Sequence, residues 1–425
     1  MLIFDQLKQQ INNQLGKTTR NLSVIEYQAS VDLPPENVAL LSWLKAQHQY
    51  PHFFWQARDS DLTLATIGSV KIFSSLEEAQ TFVDQTHLAL VGGIQFEGNC
   101  HFLLPRLQLV KNNQRLTAYF YLLEQEISEK MAIFTQTFAE FTHLSQLTLP
   151  DNQLLAHQSA CDFNHWQHNI EQAISAIQQQ QFNKVVLANA TTLTFQQPIS
   201  PYDLLAASQQ TNLGCYHFIW AENATHAFLG SSPERLYQRT GNFFKTEALA
   251  GTAAVTDNLI QTELNAEWLL TDPKNIYENQ LVVDDISMNL ADCITQINIY
   301  PAEIKRLHNV QHLRRKIRAK LIEKINDANC LARIHPTAAV AGLPRIPAKK
   351  FIAENENFTR HWYAGTLGYF HTDHAEFTVT LRSAKIDHNQ LTLYAGAGIV
   401  AESQADSEWP EIERKSLALA RLLKM

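Results

Sequence analysis

Near the C-terminus, Glu408, Glu411 and Lys415 fall at i, i+3 and i+7, which puts two carboxylates and an ammonium on one face of a helix. Such a face can hold a hard cation beside an anionic substrate. The commoner outcome for this spacing is a solvated polar face with a Glu-to-Lys pair. Just upstream, Gly396 and Gly398 flank Ala397, so the backbone can approach a ligand closely. Lys184 opens the apolar run KVVLANA. A lysine there can lose its hydration and supply a neutral amine, although an edge-strand lysine in water is the commoner case. Glu234 follows a turn in GSSPERL. Taken alone it is an ordinary polar turn residue. Arg382, in AEFTVTLRSA, suits bidentate carboxylate recognition, or a cross-strand pair with Glu376. Glu278 shares a helix face with Asn275 and is otherwise a solvated helix carboxylate.

Regular elements must position these groups. Leu391, Leu393 and Ala395 alternate with Thr392 and Tyr394, a strand pattern. The helix after it is capped by Asp406 or Ser407 and buries Ile412, Leu419 and Leu423. Phe163, Trp166, Ile170, Ala173 and Ile177 mark an amphipathic helix over 162–180 that feeds the Lys184 strand. Ser200 with Pro201, and Asp272 with Pro273, read as N-cap and first residue of two further helices. KTEALAGTAA reads as a strand running into a Gly-Thr turn, and 309–321 as a strand whose basic residues line a solvated edge. Residues 361–384 form a hairpin with Arg382 on the face of Glu376, Thr378 and Thr380. Residues 1–150 carry a helix, several strand-like runs, a hairpin at KNNQ and a helix from EISEKM, and read as an N-terminal scaffold subdomain. The polar stretch 143–160 reads as a loop at its boundary with a catalytic region, 160–425.

Composition removes several classes. A net charge of −8 gives no electrostatic case for a nucleic acid or an anionic membrane as partner. No apolar run approaches the roughly 18 residues that span a bilayer, and the N-terminus has no signal-peptide core, so a cytoplasmic protein is expected. The five cysteines are scattered without a CxxC, and the seventeen histidines show no HExxH. Reduced thiols are expected, and neither a disulfide framework nor a zinc enzyme.

GAGIVAES followed by EWPEIERK resembles the C-terminal signature of the chorismate-utilising enzymes, which include isochorismate, salicylate, anthranilate and aminodeoxychorismate synthases. KVVLAN, GSSPERL, AGT, the TDPKNIYEN helix, VQHL, HPTAAVAGLP and TLRSA follow the family's order over 160–425. The resemblance implies an α+β fold with large, mostly antiparallel sheets packed face to face and helices outside. It is strongest to the menaquinone-type isochorismate synthases, although the motifs leave menaquinone and siderophore pathways open. The implied activity is an isomerase that interconverts chorismate and isochorismate. By the same resemblance Lys184 is the general base, Glu234 the general acid, and Glu278 and Glu411 ligands to Mg²⁺. Gly251, Thr252, His335, Ala338, Tyr369, Arg382, Gly396, Ala397, Gly398 and Lys415 meet the substrate. Asn189 replaces the family's usual Arg, and Asn275 a second Glu found in many members. Salicylate synthase is the first alternative, and a catalytically dead binding homologue is another. Anthranilate and aminodeoxychorismate synthases are disfavoured because they replace the lysine base. No glutaminase subunit is therefore expected, and no allosteric amino-acid motif is found in the first 150 residues.

Overall fold

The computed structural model describes residues 2–16, 23–34, 38–149 and 151–423. All its strand pairings are antiparallel, and they join twenty strands into one hydrogen-bonded network. The hub is the long strand Cys100–Asn112. Residues 102–111 of it pair with Thr63–Phe73 on one side. On the other side its first residues pair with Leu90–Ile94 and its last with Arg115–Leu123. Two sheets therefore diverge from one strand. At the divergence Pro105, which has no N–H to give a ladder, faces a register shift between Ser69 and Lys71.

The first sheet continues through His52–Gln56, Tyr216–Ala221, His226–Ser232, Ser383–Asp387, Gln390–Ile399 and Lys184–Phe195. The second runs through Leu90–Ile94, Thr366–Phe370, His374–Val379, Arg235–Thr240, Phe243–Ala254 and Val310–Leu321. Strands from the first 150 residues thus pair directly with strands of the catalytic region. Strand alternation divides the apolar residues between two cores. Tyr216, Phe218 and Trp220 enter the core between the sheets, where Trp55 meets Tyr369 edge to face at 5.4 Å. Ile219 and Ala221 enter a second core beneath the N-terminal helix Leu2–Leu15.

Local signals place the helices. Asp272 caps Pro273–Leu290 by accepting from the Asn275 N–H, Ser200 caps Pro201–Thr211, and Asp162 caps Phe163–Gln178. The closing helix, Ala405–Ala420, starts earlier than expected. Asp406 and Ser407 lie inside its first turn, and Asp406 and Glu408 there complement the helix dipole. Trp409 packs on Trp166, and Ile412, Leu419 and Leu423 are buried.

Three expectations change. Residues 154–159 are a strand, not loop: Leu154–Ser159 pairs with the Lys184 strand as an exposed edge, so it has no apolar alternation to read. The basic strand Val310–Leu321 is no edge, since it pairs on both sides and its Arg314 meets Glu303 and Glu247. Arg382 is not within a strand. The hairpin strand ends at Val379, and Arg382 sits at φ +48° in the connection that carries the chain from the second sheet to the first.

The hub should be the least tolerant part of the core. Phe102, fully buried, meets Phe370 edge to face at 5.2 Å. Phe102→Ala is expected to cost about 3–5 kcal/mol, read as a lowered midpoint in urea unfolding.

Candidate active site

Lys184 starts its strand with no surface in water, because the strand lies between Gln390–Ile399 and Gly342–Leu343. Its ammonium is 3.0 Å from Glu278 Oε1, an ion pair without hydrogen-bond geometry. Gly398 makes the pairing possible. A Cβ there would lie 2.3 Å from Glu278 Oε1 and 2.9 Å from Lys184 Cε. Beside them opens a cavity lined by Glu234, Gly251, Thr252, Glu278, Arg382, Gly396, Gly398, Glu411 and Lys415 among others.

Each wall has a local cause. The Phe243–Ala254 strand does not end in a turn at Gly251. It carries a bulge between Leu249 and Thr252, with Gly251 at φ +87°, and the bulge turns Ala250 and Gly251 toward the cavity. The closing helix supplies Glu411 and Lys415, paired at 2.6 Å, and Lys415 also donates to the Gly396 carbonyl at 2.9 Å. Glu408, on the same helix, is buried against Lys274 at 2.6 Å and does not line the cavity. Arg382 is buried. Its Nη2 donates to His312 Nε2 at 2.8 Å while Nη1 has no protein partner. A non-glycine residue in the left-handed region costs about 1–2 kcal/mol, a strain held where the guanidinium meets the cavity.

Electrostatics separate the ionisable groups. Burial first, and then the Glu247 charge, push the Glu234 carboxyl up to about 8, against the opposing pull of Lys184, Arg58 and Lys415. Glu234 is therefore protonated at neutral pH, as a general acid must be. Burial and then Arg382 and Lys415 hold His312 well below the usual imidazole range. Neutral, and accepting from Arg382 at Nε2, it carries its proton on Nδ1, 3.2 Å from Thr252 Oγ1.

Four expected contacts lie off the wall. Ala397 alternates away from the cavity between its two glycines. Tyr369 is spent on Trp55 in the inter-sheet core. Ala338 is fully buried with its N–H on Asp285, while Ala339 and Val340 form the surface. His335 is buried with Nε2 3.3 Å from the Gln95 carbonyl. Conversely, His312, Tyr363, Tyr394 and Leu249 line the cavity. The VQHL motif was the available signal for His312; the two tyrosines had none. The departures have local uses. Asn189 ties Cys161 to the strand through both its amide atoms, and Asn275 donates to Asp272 and packs under Gly251.

The donor set suits a hard divalent cation. Glu278 and Glu411 offer carboxylates from two helices into one cavity. Burial, and then the charges of Glu411 and Glu278 against the pull of Lys274, raise the Glu408 carboxyl. Among the described residues, the group of three possible ligands that lies within 4.8 Å is His226, Asp387 and His388, outside this cavity.

The family described as chorismate binding enzyme matches residues 94–424. The chain is 43% identical over 417 residues to the isochorismate synthase MenF of Haemophilus influenzae, covering 98% of this chain and 95% of that one. It is 42% identical to the isochorismate synthase MenF of Escherichia coli, covering 91% and 90%. The solved structure of the menaquinone-specific isochorismate synthase MenF from Escherichia coli superposes with a TM-score of 0.92 over 99% of each chain, at 38% identity. Anthranilate synthase component I of Streptococcus pneumoniae shares the fold at a TM-score of 0.62 and 17% identity, over 95% of this chain and 94% of that one.

Two outcomes follow from the geometry. Gly398→Ala should displace the Glu278 carboxylate and lower turnover at least about tenfold without unfolding the chain, since a small misplacement near the reacting groups is costly; steady-state rates and circular dichroism test both halves. Glu234 binds its proton more tightly folded, at about 8, than unfolded, near 4.5. Its neutral form therefore costs nothing below about 4.5, and stability falls as pH rises from there to about 8. Glu234→Gln should relieve that loss, on the order of 4 kcal/mol at the alkaline end, so its melting temperature should exceed the parent's near pH 8 and match it near pH 4.5.

Proposed function

Because the chain belongs to the chorismate-binding enzyme family, we infer that its cavity isomerises chorismate. The chain is an isochorismate synthase, an isomerase of menaquinone biosynthesis. The observation that carries the chemistry is a buried, protonated Glu234 close enough to feel the Lys184 charge, on a cavity that Arg382 enters with a free Nη1.

The roles proposed here follow from placement. Arg382 and Lys415 orient the two substrate carboxylates, with His312 holding the Arg382 guanidinium in place. Lys184, an ammonium paired with Glu278 in this structure, must first give up its proton; the amine then takes a proton from water, whose oxygen bonds to the ring carbon next to the carboxylate-bearing one. The ring hydroxyl departs from the opposite face with the proton of Glu234 and leaves as water. Return of a proton from Lys184 to Glu234 resets the pair. Glu278 and Glu411 are proposed to hold Mg²⁺, which when bound neutralises the ring carboxylate and draws electron density toward it as the double bonds shift. Gly251, Thr252 and the Gly396–Gly398 backbone shape the wall, while Ala338, Tyr369, Ala397 and His335 act from behind it. Residues 160–425 are taken as the catalytic region and 1–150 as its scaffold. Water is the nucleophile, so no glutaminase partner is required. All five cysteines are free, which suits the reducing cytoplasm.

Chromatography of products from chorismate with Mg²⁺ tests this reading. Isochorismate should be the main product, unaffected by ammonium, with only a trace of pyruvate. Glu411→Gln should lose at least about 100-fold in turnover, the scale of a lost charge-stabilising group. Pyruvate released in step with chorismate consumption would make the chain a salicylate synthase, and full activity in EDTA would remove the metal.

A further inference from the structure

The general acid is gripped by a residue of the N-terminal region. Arg58 follows the strand His52–Gln56, more than 170 positions before Glu234 in the chain. Its Nη1 donates both to the Pro233 carbonyl and, at 2.6 Å, to Glu247 Oε1. Its Nη2 reaches Glu247 Oε2 at 3.1 Å, so the two side chains form a bidentate pair. Glu247 Oε1 also accepts from the Arg235 N–H at 3.0 Å. The pair therefore holds the peptide groups on both sides of Glu234. The Glu234 carbonyl is itself held by Thr378 Oγ1 at 2.7 Å and by the Val379 N–H at 3.1 Å. Both members are buried, with side chains 2% and 3% exposed, so water does not screen their charges.

We propose that Arg58 and Glu247 are positioning residues for the isomerisation: they fix the backbone that carries Glu234 and set one buried negative charge behind its carboxyl. This rests on the acid role given to Glu234 above. Four charged groups act on Glu234 from the elements around it: Glu247 from its own strand, Lys184 from the neighbouring sheet, Arg58 from the N-terminal region and Lys415 from the closing helix. Three are cations that favour the carboxylate. Burial and Glu247 oppose them, and Glu247 stays ionised, because Arg58, with Lys305 behind it, overrides the effect of burial on it. A neutral residue at 247 would remove that opposing charge, and the acid would lose its proton at a lower pH.

The test compares initial rates of isochorismate formation across pH for the parent, Glu247→Gln, Glu247→Asp and Arg58→Lys. In Glu247→Gln, which keeps an acceptor but not the charge, the rate near pH 8 relative to that near pH 6 should fall about tenfold against the parent's ratio, with KM little changed. Glu247→Asp should keep the parent's ratio. Arg58→Lys keeps the charge but cannot bridge two acceptors in one plane, so it should lower kcat at every pH and leave the ratio alone. A Glu247→Gln ratio equal to the parent's overturns the proposal, as does a Glu247→Asp ratio shifted as far as that of the glutamine variant. Should Glu247→Gln not fold, unchanged kcat in Arg58→Lys is the overturning result. A parent enzyme that forms no isochorismate would instead remove the assignment of function, a separate outcome.

Discussion

An ammonium with no surface in water must meet a carboxylate, and Glu278 does this for Lys184 at 3.0 Å. Taking both ions out of water costs several kcal/mol each unless the pairing is close. The pair joins a strand of one sheet to a helix that packs on the other, because Pro273–Leu290 lies along Phe243–Ala254 and Val310–Leu321. Asn279, one residue on, fixes that helix by donating to the carbonyls of Ala248, Ala250 and Leu313. Lys184 is therefore tied to the second sheet through one charge contact and the amide of Asn279, and Gly398 leaves the room between them.

The same economy shapes the field in the cavity. Lys184, Lys274 and Lys415 each meet one carboxylate, on Glu278, Glu408 and Glu411. Those three pairs sum to no net charge; among the described cationic side chains on the cavity wall, Lys415 brings its charge already paired with Glu411, while Arg382 has no carboxylate partner. His312 being neutral, Arg382 does not face a second positive charge across its hydrogen bond. In the reading proposed above, recognition of two carboxylates rests on a few fixed groups in a balanced surrounding, where the low dielectric makes each count.

Much of this was legible in the chain itself. Asp272–Pro273 and Ser200–Pro201 announced their helices because capping is local chemistry, and the Gln390–Ile399 strand showed in its alternation. The glycines at 396 and 398 and the charges at 411 and 415 were readable for the same reason. What could not be read depends on partners distant in sequence. Leu154–Ser159 is a strand only because an edge was open beside it. The Ala250–Gly251 bulge shows only in the register against the Val310–Leu321 strand, and Arg382 leaves its strand because the chain must change sheets there. Arg58 reaches Glu247 through tertiary folding alone. His335 and Tyr369 sit in motifs, yet neighbouring elements cover them, and a motif says nothing about which atoms stay uncovered.

The change of sheet at Leu381 and Arg382 has a mechanical consequence. The cavity takes one wall from Gly396 and Gly398 in the first sheet and another from Leu249 to Thr252 in the second, with the crossing connection as the strap between them. A ring seated there bears on both layers at once. Occupancy should stiffen the shear between the sheets and slow amide exchange along Gln390–Ile399, well beyond the atoms that the ring touches. Substrate would then hold the two halves of the protein in register as much as they hold the substrate.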